Sequence, residues 1–159
     1  MSAFHINLAT LPAGWSRIEA EADGSTLGLP EAEWPGPIRA EWSLDRANEQ
    51  VTVRGTIRAL ARFECVRCLL AFDQPVEAEL LLHADRSGAS RHADEDDLGR
   101  DHEMKFHDGR HLELGEDVRE VLLLEIPMTP RCREDCRGLC PTCGADWNEQ
   151  PCEHAARRD

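Results

Sequence analysis

No stretch of the 159 residues approaches the roughly 20 consecutive apolar residues needed to span a bilayer. The opening MSAFHINLATLPAGW has neither a basic region nor a long apolar run. Both absences point to a cytoplasmic chain with no membrane partner. Phosphate-cradling glycine loops, nucleophile elbows and internal repeats are missing as well, and no base stands paired with a nucleophile. We therefore expect no enzyme and no small-molecule substrate. Positive charge is short too: 18 Lys and Arg stand against 31 Asp and Glu, a formal charge of −13. Nucleic-acid-binding domains gain affinity by replacing counterions with Lys and Arg, so this balance argues against RNA or DNA as the default ligand. The seven cysteines are an odd number, which excludes a fully paired disulfide framework, and a reducing compartment disfavours disulfides in any case.

What is present is enough for one domain with a small appended module, since 41% apolar residues can fill a core. The first fifty residues carry few signals beyond a short strand near FHINL and a Gly- and Pro-rich loop, GSTLGLPEAEWPGP. From Val51 to Phe63 the pattern alternates. Val51, Val53, Gly55, Ile57, Ala59, Ala61 and Phe63 form one set; Thr52, Arg54, Thr56, Arg58, Leu60 and Arg62 form the other. A period of two predicts a strand with one buried face and one arginine-bearing face. LLAFDQPVEAELLLHAD alternates likewise, and an antiparallel hairpin turning at Cys65–Cys68 sets Arg62 against Asp73 and Arg58 against Glu77. Two readings of the arginine stripe stand side by side, as RNA contact or as cross-strand ion pairing.

An acidic loop is expected at about 86–103 around DEDDLGRDHE, a solvated segment by its charge. A turn at Asp108–Gly109 between alternating residues predicts a second hairpin. A helix is predicted at about 115–126: Val118, Val121, Leu122 and Glu125 fall on helical spacing, Glu116 and Asp117 suit its N-terminal dipole, and Pro127 ends it. Its Val121–Leu124 block is expected in the core. The expected fold is α+β, a mainly antiparallel sheet built from hairpins with one C-terminal helix and a zinc-stapled Cys-rich tail. The domain reading is 1–128 for the α+β part and 129–159 for the tail.

The cysteines fall into CxxC pairs at Cys65/Cys68 and Cys140/Cys143, a CxxxC at Cys132/Cys136, and Cys152 with His154. Two residues between cysteines let one turn present both sulfurs to a single zinc ion. In CPTCG, Pro141 stiffens that turn and Gly144 supplies the positive φ that aims backbone N–H groups at sulfur. Seven Cys and one His make two tetrahedral sets, so one or two structural zinc ions are expected. One partition joins Cys65, Cys68, Cys132 and Cys136, leaving Cys140, Cys143, Cys152 and His154 as a local second set. The other joins the two CxxC pairs in one ribbon. Sets of this kind are closed to substrate and favour a structural role. The tail has few apolar residues, so it is expected to depend on metal for its order. His83, His92, His102, His107 and His111 are read as solvated, with His107 and His111 as a weaker metal candidate.

RFECVRCLLAF, LLLEIPMTPRC and CRGLCPTCGADWN, in that order and spacing, resemble the YceD family of large ribosomal RNA subunit accumulation proteins. The likeness covers roughly residues 50–154. It implies a non-enzymatic cytoplasmic factor needed for large-subunit rRNA, and family members that lack GLCPTCG keep the Cys65/Cys68 pair and a pair near Cys132/Cys136, which favours the first partition. Asp146 and His154 depart from the family's Asn and Cys; His preserves ligation, while Asp146 puts any role of that Asn in doubt. An acidic chain suits a basic partner. The expected partner is a large-subunit ribosomal protein, an assembly factor, a pre-ribosomal particle or rRNA. Any RNA contact is expected at Arg54, Arg58, Arg62, Arg67, Arg131, Arg133 and Arg137. The competing readings are a zinc-ribbon module acting in transcription and a zinc/thiol redox sensor.

Overall fold

The computed structural model describes residues 4–86 and 104–157. The acidic loop expected at about 86–103 lies outside these residues except for Arg86, as do His92 and His102. The chain divides into two compact units, Met1–Leu60 with Pro75–Ile126, and Ala61–Gln74 with Pro127–Asp159.

The first unit is organised by a five-stranded sheet in the order β2-β3-β4-β5-β6. Its strands are β2 (Gly14–Asp23), β3 (Pro37–Ala47), β4 (Gln50–Glu64), β5 (Ala71–Arg86) and β6 (Met104–His107). A two-stranded sheet pairs β1 (His5–Asn7) with β7 (His111–Glu113), and one helix, α1, spans Gly115–Leu124. The alternation in β4 has the expected effect: Val51, Val53, Gly55 and Ile57 are buried while Arg54 and Arg58 are exposed. On β5, Val76, Ala78, Leu80 and Leu82 are buried, with Glu77 and Glu79 outside. Arg58 Nε donates to Glu77 at 2.7 Å, and Arg62 binds Asp73 through two bonds of 2.7 and 3.0 Å. These pairs and Thr52 with His83 all keep one antiparallel register, the predicted one.

Most of the pairing in the first fifty residues was not foreseen. β2 and β3 pair without interruption from Gly14↔Arg46 to Asp23↔Pro37, and β3 turns into β4 through Asn48, whose φ of 57° lies in the left-handed region that Asn tolerates. Trp42 sits opposite Gly55, where an added Cβ would lie 2.2 Å from the Trp42 ring. Glycine is what lets the indole lie on β4. Phe4 meets that indole edge-on, with centroids 6.3 Å apart.

Two expectations are corrected. The segments flanking Asp108–Gly109 do not form a hairpin: β6 runs parallel to β5, while β7 pairs with β1. Local polar bonds turn the chain from one sheet to the other. Asp108 Oδ1 accepts the N–H groups of Arg110 and His111 at 2.7 Å, and His107 Nε2 donates to the Glu49 carbonyl at 2.8 Å. The helix forms as predicted, but its Val121–Leu124 block is not all core. Val118 and Leu122, one turn apart, are buried; Val121 is half-buried and Leu124 is 76% exposed. Successive helical residues are about 100° apart, so four in a row cannot share one face.

Candidate metal centre

In the second unit, β4 ends in the turn that carries the first cysteine pair. Cys65 N–H donates to Leu70 O and Leu69 N–H to Cys65 O, both at 2.9 Å, with Leu69 at φ 62°. The tail crosses this turn. Val66 N–H donates to Pro130 O and Leu139 N–H to Arg67 O, both at 3.0 Å. Gly138, at φ 78°, passes so close that an added Cβ would stand 3.1 Å from Arg67 O.

These straps bring Cys65, Cys68, Cys132 and Cys136 into one group. Cys65 Sγ is 3.7 Å from Cys136 Sγ, and Cys68 Sγ is 3.6 Å from Cys132 Sγ. Disulfide sulfurs would stand about 2.05 Å apart. Tetrahedral zinc with bonds of about 2.3 Å sets its sulfurs about 3.8 Å apart, so the spacing is that of ligands. The second group is Cys140, Cys143, Cys152 and His154, and in each group the ligand atoms all lie within 4.8 Å of one another. Of the two partitions open on spacing, the structure brings together the one that joins the hairpin to the CxxxC and leaves the local set.

Both groups favour thiolate at particular sulfurs. Burial opposes ionisation of Cys65, but N–H groups of Cys132, Cys68 and Arg67 outweigh it and hold the thiol down at about 6. Cys132 is pushed up to about 12 by burial and by the neighbouring thiols of Cys68, Cys136 and Cys65. Cys152 is held at about 7, mainly by the indole N–H of Trp147, which lies 3.2 Å from its sulfur. Burial opposes ionisation of Cys140 too, yet its thiol is lowered by the N–H groups of Cys143 and Thr142. Gly144 takes the predicted positive φ, 75°, but its N–H donates to Cys140 O at 2.8 Å, and the N–H directed at the Cys140 sulfur is that of Thr142 at 3.4 Å. Four thiols in one set, and three thiols with an imidazole in the other, suit a tetrahedral ion.

Three residues that the cysteine spacing could not flag shape these groups. Trp147 is nearly buried and donates to Cys152. Asn148 Nδ2 donates to Cys136 Sγ at 3.4 Å, although Asn148 lies in the loop of the second group. Asp146, which stands where the family has Asn, accepts from both the backbone and side-chain N–H of Asn148 at 2.8 Å. The only sequence signal was the position of Asp146 and Asn148 in the motif following CPTCG.

The seven arginines differ in their partners. Arg58 is held by Glu77 and Glu41, Arg62 by Asp73, and Arg133 stands 3.5 Å from Asp135. Arg67 donates to Cys136 O at 2.8 Å. Arg54, Arg131 and Arg137 are exposed. The ion pairing of β4 continues through Glu41 to Arg17 on β2. Hydrogen bonds from Arg17 hold the Glu41 carboxyl below its usual range, and Arg62 does the same for Asp73.

The reading of the histidines as solvated holds for His111 and is corrected for His107 and His83. His107 is buried, its Nε2 donates to Glu49 O and its Nδ1 accepts from Gly109 N–H at 2.9 Å, so both ring nitrogens are used and neither can ligate metal beside His111. His83 is half-buried beside Thr52. His111 lies against His5 with ring centroids 4.7 Å apart and planes tilted by 38°.

Residues 53–159 match the model of the family described as Large ribosomal RNA subunit accumulation protein YceD. The chain is 34% identical over 127 residues to an uncharacterized protein of Mycobacterium leprae, which covers 79% of this chain and 56% of that one. It is 27% identical to a maize protein named Large ribosomal RNA subunit accumulation protein YCED homolog 1, chloroplastic, over 79% of this chain and 50% of the relative. The Arabidopsis thaliana protein of the same name is 24% identical over 93% of this chain and 54% of its own length. The chain thus spans about half the length of these relatives. No solved structure matches, and no helix among the described residues is long and apolar enough to cross a membrane.

Proposed function

The chain belongs to the YceD family of large ribosomal RNA subunit accumulation proteins, and from that premise we propose that it is a non-catalytic cytoplasmic factor in large-subunit biogenesis, folded around two structural zinc ions. Zinc would be held by Cys65, Cys68, Cys132 and Cys136 in one set and by Cys140, Cys143, Cys152 and His154 in the other. Its contribution is cross-linking: four bonds per ion fix a tail that has little apolar surface to bury. The closed ligand sets provide no Lewis-acid position, and the protein acts by binding.

The observation that carries the choice of partner is the pairing of the arginine stripe. Arg17, Glu41, Arg58 and Glu77 form a chain of ion pairs across the sheet, so these cations are already neutralised at a surface whose chain has net charge −13. RNA phosphates would have to displace carboxylates from Arg58 and Arg62. A basic large-subunit ribosomal protein or assembly factor would instead meet a complementary field. Any RNA contact then falls to Arg54, Arg131 and Arg137.

Depletion of the protein in its host should lower large-subunit rRNA relative to small-subunit rRNA, read on total RNA. The purified zinc-loaded protein should bind basic large-subunit proteins in a salt-sensitive way. Unchanged rRNA ratios on depletion would sink the biogenesis reading; tight gel-shift binding to large-subunit rRNA alone would replace the protein partner with RNA.

A further inference from the structure

The two ligand groups are close in sequence and share more than backbone. Only three residues, Arg137, Gly138 and Leu139, separate Cys136 of the first group from Cys140 of the second. This connector is laced to the stretch 146–148. Leu139 and Asp146 form a β-bridge, Trp147 N–H donates to Gly138 O at 3.0 Å, and Arg137 N–H donates to Asn148 Oδ1 at 2.8 Å. The last bond fixes the orientation of the Asn148 amide, because a backbone N–H can meet only its oxygen. Both hydrogens of Nδ2 are then assigned: one to Asp146 Oδ1, the other to Cys136 Sγ. Both donors and the acceptor oxygen of a half-buried side chain are thus engaged.

We propose that Asn148 couples the two metal groups: metal at Cys140, Cys143, Cys152 and His154 sets the loop that presents the Asn148 N–H to the Cys136 sulfur, and the first group thereby binds its own metal more tightly. The inference rests on the zinc reading above. N–H···S bonds from outside the ligand set orient a thiolate and stabilise its charge, and removing such a partner typically costs tenfold to a hundredfold in metal affinity. The second group orders the Asn148 loop through Cys152, to which Trp147 next door donates its indole N–H. Coupling of this kind is reciprocal, so a filled first group must tighten the second by the same factor.

The test uses the full chain and two metals, zinc in competition with a chromophoric chelator and cobalt(II) for its thiolate-to-metal absorption. First-site affinity is compared in the wild type, Asn148→Ala, Cys152→Ser and the double variant. We expect each single variant to weaken the first site about tenfold or more, the double variant to be no weaker than either single one, and Asn148→Ala to shift the first-site cobalt band while still taking up two ions. Asn148→Asp keeps the acceptor for Arg137 N–H but loses the donor, so it should weaken the first site at least as much. First-site affinity unchanged in Asn148→Ala or Asn148→Asp, or losses in the two single variants that multiply in the double, would overturn the coupling and leave the zinc reading intact. A protein that takes up neither metal overturns both.

Discussion

The two units reach order by different physics. The first buries Trp42, Leu44, Ile57, Leu82, Leu114 and Leu122 behind a sheet whose hydrogen bonds are made by its own strands. In the second, the buried apolar residues among those described are Ala61, Cys65, Cys68, Cys136, Cys140 and Trp147, so four of the six are cysteines. Charge divides as unevenly. The second unit holds seven arginines against eight Asp and Glu, which leaves nearly all of the −13 on the first. A sheet core can be stabilised by area; a segment with that little area has to be stabilised by ligands. The net negative charge and the candidate metal groups thus belong to different units of one chain.

Removing metal is the sharpest way to break this comparison. Structural zinc contributes on the order of 10–16 kcal/mol to small metal-folded modules at neutral pH. Strong chelation should therefore collapse amide dispersion for residues 129–157 and open the cysteines to thiol reagents, while the amide signals of β2 and β3 persist. Joint loss of both units would show that the sheet depends on metal too. In the other direction, Leu122→Ala should cost the first unit about 2–5 kcal/mol in urea unfolding with two metal ions still bound. Loss of metal in that variant would mean the division is not energetic.

Gly55→Ala comes next. Its Cβ would meet the Trp42 ring at 2.2 Å, and overpacking of this kind costs about 1–3 kcal/mol, measured as a lower urea midpoint and an altered tryptophan emission. Smallest is the effect of pH on the surface pairs. The Asp73 carboxyl is lowered in the folded chain by its hydrogen bonds to Arg62, so this contribution is present above the ordinary carboxylate value and is lost as pH falls through the lowered one. Asp73→Asn should slightly flatten the acid limb of the melting-temperature profile. An equal slope in both proteins would show that the exposed pair sets register without affecting stability.

Alternation was the most legible signal in this chain. β4 and β5 could be drawn with their register, because a one-residue slip would put Val53 and Ile57 in water and separate Arg62 from Asp73. β2 was not visible, since Ser16, Ile18, Ala20 and Ala22 on its inner side give too little hydrophobic contrast at a sheet edge where most remain half-exposed. The split of β6 from β7 was invisible for another reason. Asp108–Gly109 turns the chain either way, and His107 is held by Glu49, far away in sequence, whose carbonyl accepts from its Nε2–H.

By itself, then, the sequence determined the local matters: the β4–β5 hairpin, the helix and its stop, the inventory of eight candidate ligands and the acidic balance. Each follows from residue type and from periods of two to four residues. The tertiary structure decided which cysteines meet, that the ion pairing of β4 runs on through Glu41 to Arg17, and that Asn148 reaches Cys136. Spacing fixes a pair of ligands within one turn, but the partner pair is chosen by where the chain returns, and here the tail returns across the hairpin turn on the bonds from Val66 to Pro130 and from Leu139 to Arg67.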